Sequence, residues 1–425
     1  MKLRLAARCE CARLAFLSAL PLKNKKNSKL KSAYSFKRIF IVDFKSKFHY
    51  NFFTMFNMKK NQTSAETVVK NVLKIKKGER VLIIANPAVS DIAQDLYTTC
   101  DRAESLPVLI YQNEKTSLDN AETAVIAAIK SAPDVIISIS SLKLGKDSEA
   151  AATPYVDDNG KKYDHVFDYL LDGKKSIRAV WAPGLTDDMF ERTVNIDYSE
   201  LAERCKKLSE KFSDAVSVHV TSAGGTDILV PVEGRKPLDD NGDFSKPGSG
   251  GNIPAGEVFI SPIVGDGIES GCNGTIVFDG SMTFADGDSI LQNPITVKVQ
   301  GGFVTEISGG AEAKRLLKTI SDAEAHSLQM EKKGDLPQGQ GEIYRRNARN
   351  IGELGIGLNP AAMITGNMLE DEKAFKTCHF AIGENYDGDA LSLIHLDGVV
   401  RLPTIVINYK DGTNFTALED GVLKI

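Results

Sequence analysis

Six histidines occur in the 425 residues, and one of them, His395, stands two positions before Asp397 in the stretch IHLDGVV. On a strand these side chains share a face, so an imidazole and a carboxylate would lie together as two metal ligands, or as one ligand and its orienting partner. Taken alone the tripeptide reads as a surface histidine beside a turn aspartate. His379 lies between apolar neighbours in TCHFAIGEN, where a hydrogen-bonded core histidine is the simple reading; an adjacent pair of strands would nevertheless bring it near His395. Two glutamates have unusual surroundings. Glu257 follows a Pro/Gly turn in GNIPAGEVFISP, which would present it at a sheet edge, and Glu353 is flanked by glycines in NIGELGIGLNP, which permits close backbone packing around a carboxylate. A turn acid and a surface acid are the plain alternatives. The acidic run LEDEK (369–373) reads as a solvated helix end. His49, His165, His219 and His326 lie in polar, charged or amphipathic stretches and are set aside. LDDNGDF fails as a calcium loop because Phe244 stands where the turn glycine belongs.

The elements that must position these groups fall into two halves. An amphipathic helix over 65–75 leads to the apolar run VLIIANP (81–87), a helix over 89–103, the strand PVLIYQ (107–112), a helix over 119–131 and the strands DVIISIS (134–140) and IRAVWAP (177–183). Apolar strands alternating with helices predict a parallel sheet covered on both faces. The turn after the first strand, NPAVSD, has neither a GxGxxG nor a GxxxxGK[ST] pattern, so a structural or dimer-forming role is expected there rather than a nucleotide site. Beyond about residue 190, after a helix over 198–213, short alternating strands punctuated by glycine predict a mainly antiparallel sheet, with a helix over 312–330 inserted. The expected organisation is a basic extension (1–57), an N-terminal layered α/β domain (58–190) and a C-terminal catalytic α+β domain (191–425).

The net charge of -4 conceals an asymmetry: the first 60 residues carry 15 Lys and Arg against two acids, leaving 37 against 54 in the remainder. An acidic body argues against a nucleic-acid protein, since phosphates are bound by clustered Lys and Arg. For the basic extension four readings compete: a secretory signal, a transit peptide, a disordered tail, and an upstream translation outside the working protein. The last two are favoured, with Met58 as a plausible start. No run approaches the roughly 18–20 apolar residues of a membrane span. The six cysteines form no CxxC pattern or disulfide framework, so a reducing compartment is expected.

Taken in order, GNIPAGEVFISP, NIGELGIGLNPAAMITGNMLEDEK, CHFAIGENY and IHLDGVV resemble the aminopeptidase T/aminopeptidase S family of metallopeptidases over residues 60–425. The resemblance implies a homodimeric, cytoplasmic enzyme that uses two divalent ions (zinc, cobalt, manganese or magnesium) to remove N-terminal residues from peptide substrates, without a nucleic-acid or membrane partner. It implies that Glu257, Glu353, Glu372, His379, His395 and Asp397 are metal ligands. Glu353 or Glu372 would be the base that takes a proton from the attacking water, and Tyr386 would donate to the developing oxyanion. The 16-residue interval between the two histidines is short for this family, so the loop GENYDGDALSL makes the substrate an open question. The same fold is similar to that of a mononuclear iron(II) ring-cleaving dioxygenase acting on dihydroxypyridine, for which His379, His395 and Asp397 would suffice as a facial triad. A non-catalytic relative is the third reading.

Overall fold

A computed structural model describes residues 62–425 apart from 117 and 118; the expectation for residues 1–57 lies outside the described residues. The chain enters through a helix at Ser64–Thr67, started by a reciprocal capping box between Thr63 and Glu66 and continued as a wider turn over Val68–Val72. Four strands follow at Arg80–Ala85, Leu106–Tyr111, Val135–Ser140 and Arg178–Pro183, joined by helices that include Ser90–Arg102 and Thr123–Lys130. They pair in parallel, and their order in the sheet places Arg80–Ala85 between Leu106–Tyr111 and Val135–Ser140. The central strand Val135–Ser140 is buried along its whole length, which is why its sequence does not alternate. The fifth strand comes from beyond residue 190: Gly250–Asn252 pairs in parallel with Arg178–Pro183 and closes that edge. Parallel pairing needs only backbone, and glycines admit it here, because a β-carbon on Gly250 would collide with the Ala179 carbonyl and the Trp181 ring.

The second half is antiparallel, as the alternating pattern predicts. A seven-stranded sheet runs in the order Ser289–Ile290, Ser281–Met282, His395–Arg401, Thr377–Gly383, Ile351–Gly357, Glu257–Ile260 and Leu238–Asp240. An eight-stranded sheet includes Ala215–Thr221, Asp227–Pro231 and Thr404–Tyr409. One continuous apolar core joins all three large sheets, from Ile83 and Ile137 through Val258 and Phe380 to Val218 and Ile407. Burial of this order is the main force that fixes the sheets against one another. The inserted helix spans Ala311–Lys333 and ends on Gly334 in the left-handed conformation, which glycine adopts without strain. Among the described residues, no helix is long and apolar enough to cross a membrane, and the four cysteines are buried and free.

Candidate metal centre

Strand register brings the sequence candidates to one face of four neighbouring strands. Ala381 pairs with both Glu353 and Asp397, Gly383 pairs with His395, and Gly357 pairs with Glu257. Directly opposed residues lie on the same side of a sheet, and positions two apart repeat it. His379, two positions before Ala381, therefore faces the same way as all four. Glu257 is not at a sheet edge as its turn suggests: Leu238–Asp240 pairs outside it, and the carboxylate is buried.

Glu353 sits between the two imidazoles. His379 Nε2 is 3.0 Å from its Oε1, and His395 Nε2 is 3.3 Å from its Oε2. His395 Nε2 also lies 3.3 Å from Asp397 Oδ1, and His379 Nε2 lies 3.5 Å from Glu257 Oε2. The His395 ring is oriented from behind, since its Nδ1 donates to the Glu384 carbonyl at 2.9 Å and so leaves Nε2 as the inward nitrogen. Tyr386 covers one side, with its ring 5.3 Å from that of His395 and 5.0 Å from that of Phe259, and it remains 60 % exposed to the cleft.

The protonation pattern follows from these contacts. Burial alone would raise the pKa of Glu353, yet hydrogen bonds from His379 and His395 hold it down to about 2. Burial alone would lower the pKa of His379, but Glu353 raises it to about 9; the pKa of His395 is raised well above the usual imidazole value by Asp397 and Glu353 against the same desolvation. Glu372 is pushed up to about 7, chiefly by burial and then by the negative charge of Glu257 and Asp397, with Lys373 opposing. The phenol of Tyr386 is raised by desolvation and by Glu353, Asp397, Glu372 and Glu257.

The LEDEK run is not a solvated helix end. Glu370 and Asp371 are buried, and each is fully engaged: Glu370 accepts from Arg192 at 2.6 and 3.1 Å, and Asp371 accepts from the backbone of Thr365 and Gly366. The run folds beneath the site and places Glu372 with Glu257 and His379, while Glu353, His395 and Asp397 form a second group; within each group the ligand atoms lie within 4.8 Å of one another. Lys373, which the motifs do not single out, is fully buried between Glu257 and Glu372.

A divalent cation fits these residues. Four carboxylates against one ammonium leave a buried excess of negative charge once the two imidazoles give up their protons to a cation, and Glu257 Oε2, Asp397 Oδ1 and His379 Nδ1 have no hydrogen-bond partner. Buried polar atoms of this kind call for a partner, and oxygen and imidazole donors suit first-row divalent metals.

The site opens on a cleft of about 1790 Å³ whose opposite wall is formed by the parallel sheet. Ser138 and Ser140, Trp181 to Gly184 and His165 line it, so the carboxyl ends of the strands face the metal site. Ligands of open parallel sheets bind at those ends. The sequence sets His165 aside and suggests a structural or dimer-forming role for this sheet; in the fold both border the cleft.

These features define an α/β plus antiparallel-sheet protein with buried carboxylate and imidazole groups that could hold metal ions. The family model described as NicX, 2,5-dihydroxypyridine 5,6-dioxygenase, matches residues 186–384, a stretch that contains Glu257, Glu353, Glu372 and His379 and stops before Tyr386, His395 and Asp397. The 2,5-dihydroxypyridine 5,6-dioxygenase of Pseudomonas putida KT2440 is 28 % identical over 141 residues, which cover 32 % of this chain and 39 % of that protein. Among solved structures, the 2,5-dihydroxypyridine dioxygenase of Pseudomonas putida KT2440 superposes with a TM-score of 0.60 at 16 % identity, covering 85 % of this chain and 96 % of the other. Wild-type AmpT from Thermus thermophilus superposes with a TM-score of 0.57 at 16 % identity, covering 85 % and 98 %. The shared fold is that of the expected family. The expected peptide hydrolase is corrected, however: both sequence matches are to a dioxygenase, an oxidoreductase, and the likeness to AmpT is one of fold.

Proposed function

We propose that this chain is a mononuclear, iron(II)-dependent dioxygenase that opens the ring of a dihydroxylated N-heterocycle such as 2,5-dihydroxypyridine. The observation that carries the reading is the match of residues 186–384 to the 2,5-dihydroxypyridine 5,6-dioxygenase family model, on a chain that sets two histidines and an aspartate on one sheet face. His379, His395 and Asp397 would hold the ion, with Glu353 between the imidazoles and Glu257, turned toward His379, as further oxygen donors. A bound ferrous ion would supply the electron exchange that lets an aromatic ring react with O2. Both oxygen atoms enter the product as the bond between ring carbons 5 and 6 breaks, so no external reductant is needed.

The chain's own groups prepare the substrate. Glu372, near neutrality in its buried setting, takes the proton of a ring hydroxyl and leaves an electron-rich ring. Tyr386, at the cleft face of His395, donates its O–H to the substrate's second oxygen and helps exclude water. Trp181 and the strand ends opposite give the ring an apolar and polar wall on its far side.

The test is anaerobic loading of metal-free protein with ferrous iron, followed by 2,5-dihydroxypyridine and oxygen. One iron per chain with stoichiometric oxygen uptake and loss of the pyridine absorbance is expected. Iron loading without oxygen uptake, together with release of leucine from leucine p-nitroanilide, would overturn the reading.

A further inference from the structure

Lys373 has no exposed side-chain surface, and its ammonium carries three hydrogens. All three have acceptors: Glu257 Oε1 at 3.0 Å, Glu372 Oε1, and Asn252 Oδ1 at 3.4 Å. None remains for a substrate.

The bonds to Glu257 are asymmetric. Its Oε1 is taken by Lys373, whereas its Oε2 has no hydrogen-bond partner and faces His379 Nε2 at 3.5 Å. The lysine thus fixes the rotation of this carboxylate and leaves one oxygen free on the site side. Glu372 is held by the same ammonium. The third acceptor, Asn252, ends the fifth strand of the parallel sheet, where its side chain also donates to the Trp181 carbonyl at 3.2 Å.

We infer that Lys373 is a positioning residue for the metal centre: it aims Glu257 at the cation position, holds Glu372 beside it, and ties their orientation to the parallel sheet through Asn252. The inference rests on the metal-binding part of the function proposed above, and not on ring cleavage. Partners that orient metal ligands contribute on the order of 10- to 100-fold to affinity.

Cobalt(II) titration of the metal-free full chain tests it, read by visible ligand-field absorption and by bound cobalt. Lys373→Met keeps the length and removes the N–H donors; a cobalt affinity on the order of 10- to 100-fold weaker, with a shifted band and an unchanged far-ultraviolet dichroism, is expected. Asn252→Ala removes the third acceptor together with the donor to the Trp181 carbonyl and should weaken binding several-fold in the same direction, so it carries the test if the first variant does not fold. Wild-type affinity and an unshifted band in the folded variants overturn the inference, as does a wild-type chain that binds no cobalt. Cobalt binding that behaves as expected beside absent oxygen uptake in the iron form counts against the dioxygenase alone.

Discussion

Gly355 lies directly beneath the imidazole of His379, its cross-strand partner, and a β-carbon at that position would fall well inside van der Waals contact of ring atoms Cε1 and Nε2. The glycine is there because the ring lies across the strand to reach Glu353. Gly355→Ala should therefore displace His379, cost about 1–3 kcal/mol through overpacking, and sharply reduce bound metal. Thermal unfolding and metal content measure the two effects; an alanine variant with full metal content would show that the ring does not need this space.

Glu353 touches both histidines, so its loss should be felt at the centre of the site. Glu353→Gln keeps the volume and removes the charge, and it should abolish metal-dependent turnover while the dichroism spectrum stays that of the wild type. Near-normal oxygen uptake in the variant would remove Glu353 from the reaction.

The charge pattern sets a pH dependence. The pKa of His379 is raised to about 9, so in metal-free protein its stabilisation is complete below the ordinary imidazole value and is lost as pH rises through about 9. The pKa of Glu353 is depressed to about 2, so its contribution is present above the ordinary carboxylate value and lost as pH falls toward 2. Glu372, raised to about 7, works the other way: its buried ionisation costs stability as pH climbs from the carboxylate range to about 7. Protons compete with a cation for the imidazole nitrogens. The rise in Tm on adding metal should therefore grow between about pH 6 and pH 9, where metal-free protein loses stability. A metal-induced shift that is flat over this range would contradict the pattern.

Trp181 is the chain's single tryptophan and lines the cleft, packed edge-on against Phe167 with centroids 5.9 Å apart. Intrinsic fluorescence therefore reports one residue. Saturable quenching or a spectral shift on titrating an unreactive dihydroxypyridine analogue is expected, and it should be retained in Glu353→Gln. An unchanged spectrum under saturating analogue would place the ligand away from this wall.

Arg192 is the ionic partner of Glu370, which is 1 % exposed. Removing one member of such a buried pair costs about 3–5 kcal/mol. Arg192→Met should lower the urea midpoint accordingly and loosen the segment that carries Glu372 and Lys373; a change of less than about 1 kcal/mol would show that water replaces the guanidinium.

Much of this architecture can be read from local pattern. Uninterrupted apolar runs such as DVIISIS mark the strands of a sheet covered on both faces, and the spacing of His395 and Asp397 already places them together on a strand. What escapes the sequence depends on pairing across long separations. The LEDEK run has the composition of a solvated helix end, and only its partners, Arg192 and the backbone at 365–366, make burial tolerable. Lys373 and Asn252 lie within the motifs without standing out in them, because their meaning lies in contact over 121 residues of sequence. The chemistry was the least legible. Carboxylates and imidazoles on one sheet face serve hydrolysis and oxidation alike, and the difference lies in the ion and in the cleft wall rather than in the ligand letters.

The strand Gly250–Asn252 gives the molecule an unusual dependence on chain continuity. It completes the first sheet with residues from the second half, and the same three residues end on the acceptor of Lys373. A protein made of two such halves cannot trade one of them as a cassette. A transplanted parallel sheet would arrive without its closing strand, and a transplanted metal sheet would carry a strand with nothing to pair with. Variation in what the cleft accepts must therefore arise in the loops at the strand ends, with both sheets inherited together.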